Sequence, residues 1–236
     1  MRTLVVIPTF NEALNVEQLV TRLLRIDDQV NVMVADDASP DGTGAIADRL
    51  VATNAGRVKV LHRQGKGGRG AAVLAAFREA VTEPAYGRFV EMDADLSHLP
   101  EELERLIDAS EHADVIIGSR YREGGAISGW SRKRRVWSHL SNSLIDLVLR
   151  LPISDYTNGY RLYNRRAVEA LLGAELKERG YISLSEWAWV LHRAGMTFAD
   201  VPITFVNRRL GTSKMSAREA VGALRALMRM RLHPAH

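Results

Sequence analysis

The chain contains no cysteine. Disulfide staples, thiolate metal sites and a cysteine nucleophile are excluded at once, and the composition suits a reducing compartment. Aromatic residues are only 6% of the 236 and do not alternate with the basic ones, so nothing supports a stacking platform for nucleic acid. No apolar run approaches the roughly 20 residues that span a bilayer. The first residues enter a strand pattern directly, without the segments of a secretory leader. The expectation is a cytoplasmic protein that meets any membrane from its surface. The first strand-to-helix turn lacks the glycine of the dinucleotide fingerprint, and there is no Gly-x-Ser-x-Gly elbow. Both gaps count against dehydrogenases and hydrolases of those kinds. The seven histidines show no metal-ligand spacing.

What is present is clustered positive charge. The formal net charge is +4, with Arg132, Lys133, Arg134 and Arg135 adjacent and seven more basic residues between Arg208 and Arg231. Such clusters fit phosphates, an anionic membrane or nucleic acid, and they also fit solvated surface charge.

Short apolar runs at 4–7, 32–35, 58–61, 89–92 and 115–117 alternate with helical patterns at about 15–25, 43–53, 71–81 and 101–112. Strands without polar alternation are buried on both faces, and the repeated strand–helix order predicts an α/β fold with a mostly parallel central sheet. The second half predicts helices at 132–151, 165–172, 185–194 and 216–232, and a strand at about 199–206. Val136, Leu140, Leu144, Leu147 and Leu151 form one stripe, with Pro152 as its stop. Val221, Leu224, Leu227 and Met228 form another, opposite Arg218, Arg225 and Arg229. Each stripe fits either a membrane interface or packing on the sheet. The chain reads as one domain over 1–215, extended by a basic amphipathic helix and tail at 216–236.

Polar residues gather at strand exits, where open α/β sheets bind ligands. Asp93 and Asp95 follow the run at 89–92, and two carboxylates so placed suit a hard divalent cation shared with a diphosphate. Paired aspartates also cap helices and build turns. Asp36-Asp37 fits hydrogen bonding to a ribose or base, or a helix start. Gly65-Lys66-Gly67-Gly68-Arg69-Gly70 lets backbone approach a ligand ahead of a helix N-terminus, although P-loop spacing is absent.

Together these segments resemble the family 2 glycosyltransferases, and within them the dolichyl- or polyprenyl-phosphate mannose synthases. The resemblance is carried by Val-Ile-Pro-Thr-Phe-Asn-Glu at 6–12, Asp-Asp-Ala-Ser-Pro-Asp-Gly-Thr at 36–43 and Met-Asp-Ala-Asp-Leu-Ser-His at 92–98. Gly118-Ser119-Arg120-Tyr121, Gly129-Trp130 with Lys133-Arg134, Gly159-Tyr160-Arg161-Leu162-Tyr163, and Phe205-Val206-Asn207-Arg208 with Gly211-Thr212-Ser213-Lys214 complete it. It implies a GT-A type nucleotide-binding sandwich and inverting transfer from GDP-mannose, with UDP-glucose or another nucleotide sugar as the alternative donor. A silent nucleotide-sugar or lipid-phosphate binding module is the reading from another class.

By that resemblance Pro8, Phe10, Glu12, Asp37 and Asp93 hold the nucleoside and diphosphate. Asp95, with Asp93, holds Mg²⁺ or Mn²⁺. Arg120, Arg134 and Ser138 face the acceptor phosphate and reacting sugar, and Arg208 and Lys214 close a loop over the diphosphate. The implied partners are GDP-mannose, a polyprenyl phosphate and the cytoplasmic face of a membrane, met through surface helices or an anchoring protein, with no nucleic acid. Two features depart from the pattern. Ser97 stands where some relatives carry Gln near the metal, and the chain reaches His236 without the transmembrane tail of some relatives.

Overall fold

The computed structural model describes residues 1–54, 56–65, 67–178, 180, 182–207 and 217–232, with the side chains of 217–221 outside that description. Its centre is a seven-stranded sheet of β1 (Arg2–Thr9), β2 (Val30–Asp36), β3 (Val58–His62), β4 (Tyr86–Glu91), β5 (Val115–Ser119), β7 (Arg161–Asn164) and β8 (Phe198–Pro202). The order is β3-β2-β1-β4-β7-β5-β8. A two-stranded ribbon of β6 (Ala126–Ser128) and β9 (Thr204–Val206) stands apart. The expected strand at 199–206 is therefore two strands, which belong to different sheets.

Side chains alternate across a strand, and here both faces are apolar. Leu4 and Val6 of β1 point into one core with Met33, Phe77, Phe89 and Trp187, while Val5 and Ile7 point into the other with Val16, Leu19, Val32 and Leu50. Helices α1 (Val16–Leu24), α2 (Thr43–Thr53) and α4 (Leu103–Ala109) cover that second face. Helices α3 (Arg69–Ala80), α6 (Arg165–Gly173) and α7 (Ile182–Arg193) cover the first. The result is a three-layer sandwich, and the mostly parallel sheet expected from the strand–helix alternation is present.

One strand was not legible. β7 is only four residues long, begins with a buried arginine and runs antiparallel between β4 and β5. Nothing in so short a segment carries a strand period.

The two basic helices treat their apolar stripes differently. α5 (Arg132–Leu149) is capped by Ser131, whose hydroxyl accepts from Arg134 N, and ends where Arg150 turns left-handed (φ 50), ahead of Pro152. Of its stripe only Leu151, beyond the helix, is buried; Val136, Leu140, Leu144 and Leu147 are 47–63% exposed, as is Trp137 at 63%. In α8 (Ala217–Leu232) the expected stripe is split. Leu227 is buried with Ala226 and Met230, whereas Leu224 and Met228 are exposed with Leu232. Arg231 Nη1 donates to Val148 O at 2.9 Å and ties α8 to α5.

Candidate active site

The strand order reverses at β1, which pairs with β2 on one side and with β4 on the other. Ligands bind at such switch points, outside the carboxyl ends of the strands. A cleft of about 460 Å³ opens there, and Pro8, Phe10, Glu12, Asp37, Asp93 and Asp95 all line it. Three of its loops hold non-glycine residues at positive φ: Asn11 after β1, Ala38 after β2 and Leu96 after β4. Such strain costs of order 1 kcal/mol or more at each and concentrates where geometry serves a ligand.

The loops are laced together. Asp36 is buried and structural, its Oδ1 accepting from Thr9 Oγ1 (2.9 Å) and Ser39 Oγ (2.6 Å). Asp37 faces the cleft and secures the glycine-rich loop: Oδ2 accepts from Gly67 N and Gly68 N (2.8 and 3.0 Å), and Oδ1 pairs with Arg63. Glu12 N donates to Thr43 Oγ1 at 3.0 Å, while Glu12 Oε2 accepts from Asn15 Nδ2 at 2.8 Å. Lys66 lies outside the described residues.

Asp95 Oδ1 accepts from Ser97 N (3.0 Å), which shapes the turn after β4. Asp93 Oδ1 accepts from Arg69 Nε at 2.6 Å. His98 Nδ1 accepts from Asp93 N (3.3 Å), which leaves Nε2–H to donate to Asn158 Oδ1 (2.8 Å). Burial pushes the His98 pKa down against the pull of the nearby aspartates, so the neutral ring that this bonding requires is the favoured one. With both nitrogens committed, His98 braces the aspartate turn and is no metal ligand. Ser97 is fully buried and absent from the cleft wall.

The donor set fits a hard divalent ion shared with a ligand. Asp93 and Asp95 present carboxylate oxygens from one turn, and no cluster of three or more His, Cys, Asp or Glu suited to a metal exists among the described residues. Such a protein shell is incomplete and leaves coordination positions for phosphate oxygens and water, as Mg²⁺ and Mn²⁺ accept.

Arg120, Arg134 and Ser138 are not on the cleft wall; they form a second cluster beside it. Arg120 is 8% exposed and bonded through Nε and Nη2 to the two oxygens of Asp155. Burial works against its charge, and Asp155 outweighs burial and raises its pKa. Its guanidinium carbon lies 5.3–5.8 Å from the rings of Tyr121, Trp130 and Phe205. Arg134 lies on α5, is exposed and stacks over Trp130 at 3.9 Å. Ser138 Oγ bonds the hydroxyl of Tyr121 at 2.7 Å. The clusters meet at Thr157, which lines the cleft and accepts from Arg120 Nη2 at 2.7 Å. Arg208 and Lys214 lie outside the described residues.

Sequence reasoning missed Arg69, Asp155 and Thr157 as site residues. Asp155-Tyr156-Thr157-Asn158-Gly159 carries the composition of a turn, and that was the available signal.

Residues 4–172 match the model of "Glycosyl transferase family 2". A polyprenol monophosphomannose synthase from Mycolicibacterium smegmatis is 45% identical over 224 residues, covering 93% of this chain and 84% of the relative. An undecaprenyl-phosphate mannosyltransferase from Micrococcus luteus is 42% identical over 219 residues, covering 92% and 88%. Among solved structures, glucosyl-3-phosphoglycerate synthase from Mycobacterium tuberculosis, in complex with Mn²⁺, UDP and glucosyl-3-phosphoglycerate, superposes with a TM-score of 0.65 at 19% identity, covering 97% of this chain and 78% of its own. A mannosyltransferase from Pyrobaculum calidifontis, in complex with GDP-Man and Mn²⁺, gives 0.60 at 18% identity, with 98% and 70% covered. Both likenesses show the fold, which is of GT-A type. With a family match across most of its length and relatives above 40% identity, the chain belongs to glycosyl transferase family 2 and is a glycosyltransferase.

Proposed function

We propose that the chain transfers mannose from GDP-mannose to a polyprenyl phosphate, with inversion and a divalent metal, at the cytoplasmic face of a membrane. The observation that carries this reading is the junction at Thr157, where a carboxylate-lined cleft meets a cationic, aromatic-walled cluster. One side suits a nucleotide sugar and its cation, the other a phosphate monoester. Two relatives that are more than 40% identical to this chain over the aligned residues bear names specifying mannose and polyprenyl-type acceptors.

A phosphate monoester, with its second pKa near 6, is largely dianionic at neutral pH. Its oxygen attacks the anomeric carbon while the bond from that carbon to the GDP oxygen breaks and the electron pair leaves with GDP. No proton has to be removed from the nucleophile, so the chain's task is alignment and charge stabilisation. Pro8, Phe10, Glu12 and Asp37 would hold the nucleoside side of the donor. Arg134, backed by Arg120, would orient the acceptor phosphate, with Ser138 keeping Tyr121 in place. Mg²⁺ or Mn²⁺, held by Asp95 and Asp93, would supply charge neutralisation for the departing diphosphate. Arg208 and Lys214 would add cationic cover.

The acceptor's tail must stay in lipid. No helix among the described residues is long and apolar enough to cross a membrane. The exposed apolar side chains of α5 and α8, with Arg132, Lys133, Arg135 and Arg225 exposed on the same helices, suit an anionic surface. A membrane-anchoring protein is the other occupant this face would accept. The deciding assay is transfer of radiolabelled sugar into organic-extractable lipid, comparing GDP-mannose, UDP-glucose and UDP-GlcNAc with polyprenyl phosphate. Label from GDP-mannose alone is expected; label from a UDP sugar would overturn the donor assignment.

A further inference from the structure

We infer that Arg69 is a built-in cation that weakens the hold of the Asp93–Asp95 turn on its divalent ion while fixing Asp93 in place. The inference rests on the metal reading of those aspartates given above.

Arg69 is the first residue of α3, and its side chain reaches Glu91 of β4, Asp93 in the turn after β4 and Gly159 ahead of β7. Nε donates to Asp93 Oδ1 at 2.6 Å, Nη1 to Glu91 Oε2 at 2.6 Å and Nη2 to Gly159 O at 2.8 Å. Three bonds of different direction hold one planar group, so the guanidinium has a single seat. That seat requires glycine opposite: a Cβ on residue 159 would collide with Arg69 Nη2.

Glu91 explains why a cation belongs there. It is fully buried on β4, with Oε1 accepting from Tyr163 OH at 2.6 Å and Oε2 from Arg69. A lone carboxylate at that depth would be costly, and Arg69 offsets it. The same charge then reaches the cleft, because Arg69 lines it alongside Asp93. Burial disfavours the guanidinium's charge, but Glu91 and Asp93 outweigh it, so the cation is permanent.

A fixed positive charge bonded to one of two cation-holding carboxylates repels a divalent ion. The repulsion lowers resting metal affinity by about tenfold, the order for one unit charge near a solvent-facing site. An ion held less tightly can arrive and leave with the nucleotide. Glu91 sets how much of the Arg69 charge is felt at Asp93. The buried Glu91 thereby tunes a metal site it never touches.

Two variants separate this role from a merely structural one. Glu91→Gln leaves the Arg69 charge undivided toward Asp93 and should weaken Mn²⁺ binding several-fold. Glu91→Gln with Arg69→Leu removes both charges, avoids stranding either, and should bind Mn²⁺ about three-fold more tightly than wild type, the tenfold from losing Arg69 being partly offset by the loss of Glu91. The readout is the electron paramagnetic resonance of free Mn²⁺ titrated with protein, without donor and then with saturating GDP. Thermal denaturation of each variant checks folding. Opposite shifts support the inference. Shifts in the same direction, or none in a folded double variant, overturn it. Wild-type binding that is lost in Asp95→Ala marks the metal site as real in either case. No Asp95-dependent binding at all would remove the metal reading and this inference with it.

Discussion

Arg120 and Asp155 form a two-pronged ion pair, with Nε and Nη2 donating 2.7 and 2.8 Å to separate carboxylate oxygens and both side chains nearly out of water. Asp155 Oδ1 also accepts from Thr157 N and Asn158 N, so the pair shapes the loop that joins the donor cleft to the cationic cluster. Breaking a buried pair strands its partner. Asp155→Ala should therefore lower stability by about 3–5 kcal/mol, read as a large fall in Tm. A variant that melts like wild type would show that the pair does not hold the loop.

The exposed arginine of the same cluster should behave differently. Arg134→Ala removes the stack on Trp130 and a 2.9 Å bond from Nη1 to Asn207 Oδ1 at the surface. Stability should change by less than about 1 kcal/mol. If the residue meets the acceptor phosphate, KM for polyprenyl phosphate should rise at least about tenfold, which corresponds to one charge-assisted hydrogen bond. Steady-state kinetics with each substrate varied in turn decides it. A rise confined to the donor's KM would move Arg134 to the nucleotide side.

These two arginines also show what a sequence does and does not disclose. Continuous apolar runs disclosed the parallel strands, and polar residues clustered at strand exits disclosed the cleft, because both are local patterns. The partner of Arg120 lies 35 residues away and carries no spacing signal. Arg120 thus looked like a ligand-facing group when much of its hydrogen bonding is internal. Arg69 was hidden in a glycine-rich loop because its partners come from β4 and from residue 159. Helical periodicity revealed that α5 and α8 are two-sided. It does not say what lies against the apolar side, which is tertiary information: Ile145 turns inward and Leu144 outward on adjacent positions.

The exposed side of those helices makes the next prediction. Leu144 and Met228 are each 47% exposed, so Leu144→Glu with Met228→Glu removes little packing and should cost about 1 kcal/mol or less. Co-sedimentation with vesicles containing anionic lipid should nevertheless fall several-fold, since two apolar anchors become charges facing lipid. Raised salt should weaken wild-type binding further, because part of the attraction comes from arginines. Unchanged co-sedimentation would remove this face from the membrane reading.

A last prediction concerns pH and a residue outside the site. Asp200 Oδ2 accepts from Ser154 N at 2.7 Å, but Oδ1 is buried with no hydrogen-bond partner. Burial raises the Asp200 pKa above the ordinary 3.8, and the bonds from Ser154 and the charge of Arg122 only partly oppose it. A carboxyl with a raised folded-state pKa binds its proton more tightly when folded. Stability is therefore lost as pH climbs from the unfolded value of 3.8 through the folded one. Above that window the ionised group is a net cost, which Asp200→Asn removes while keeping an oxygen for Ser154 N. The stability of the variant relative to wild type should rise between pH 4 and pH 7, because only the wild type loses stability through that window. Paired thermal melts at pH 4 and pH 7 test the sign directly. A difference that is unchanged at pH 4 would trace to packing and clear the Asp200 charge of any cost.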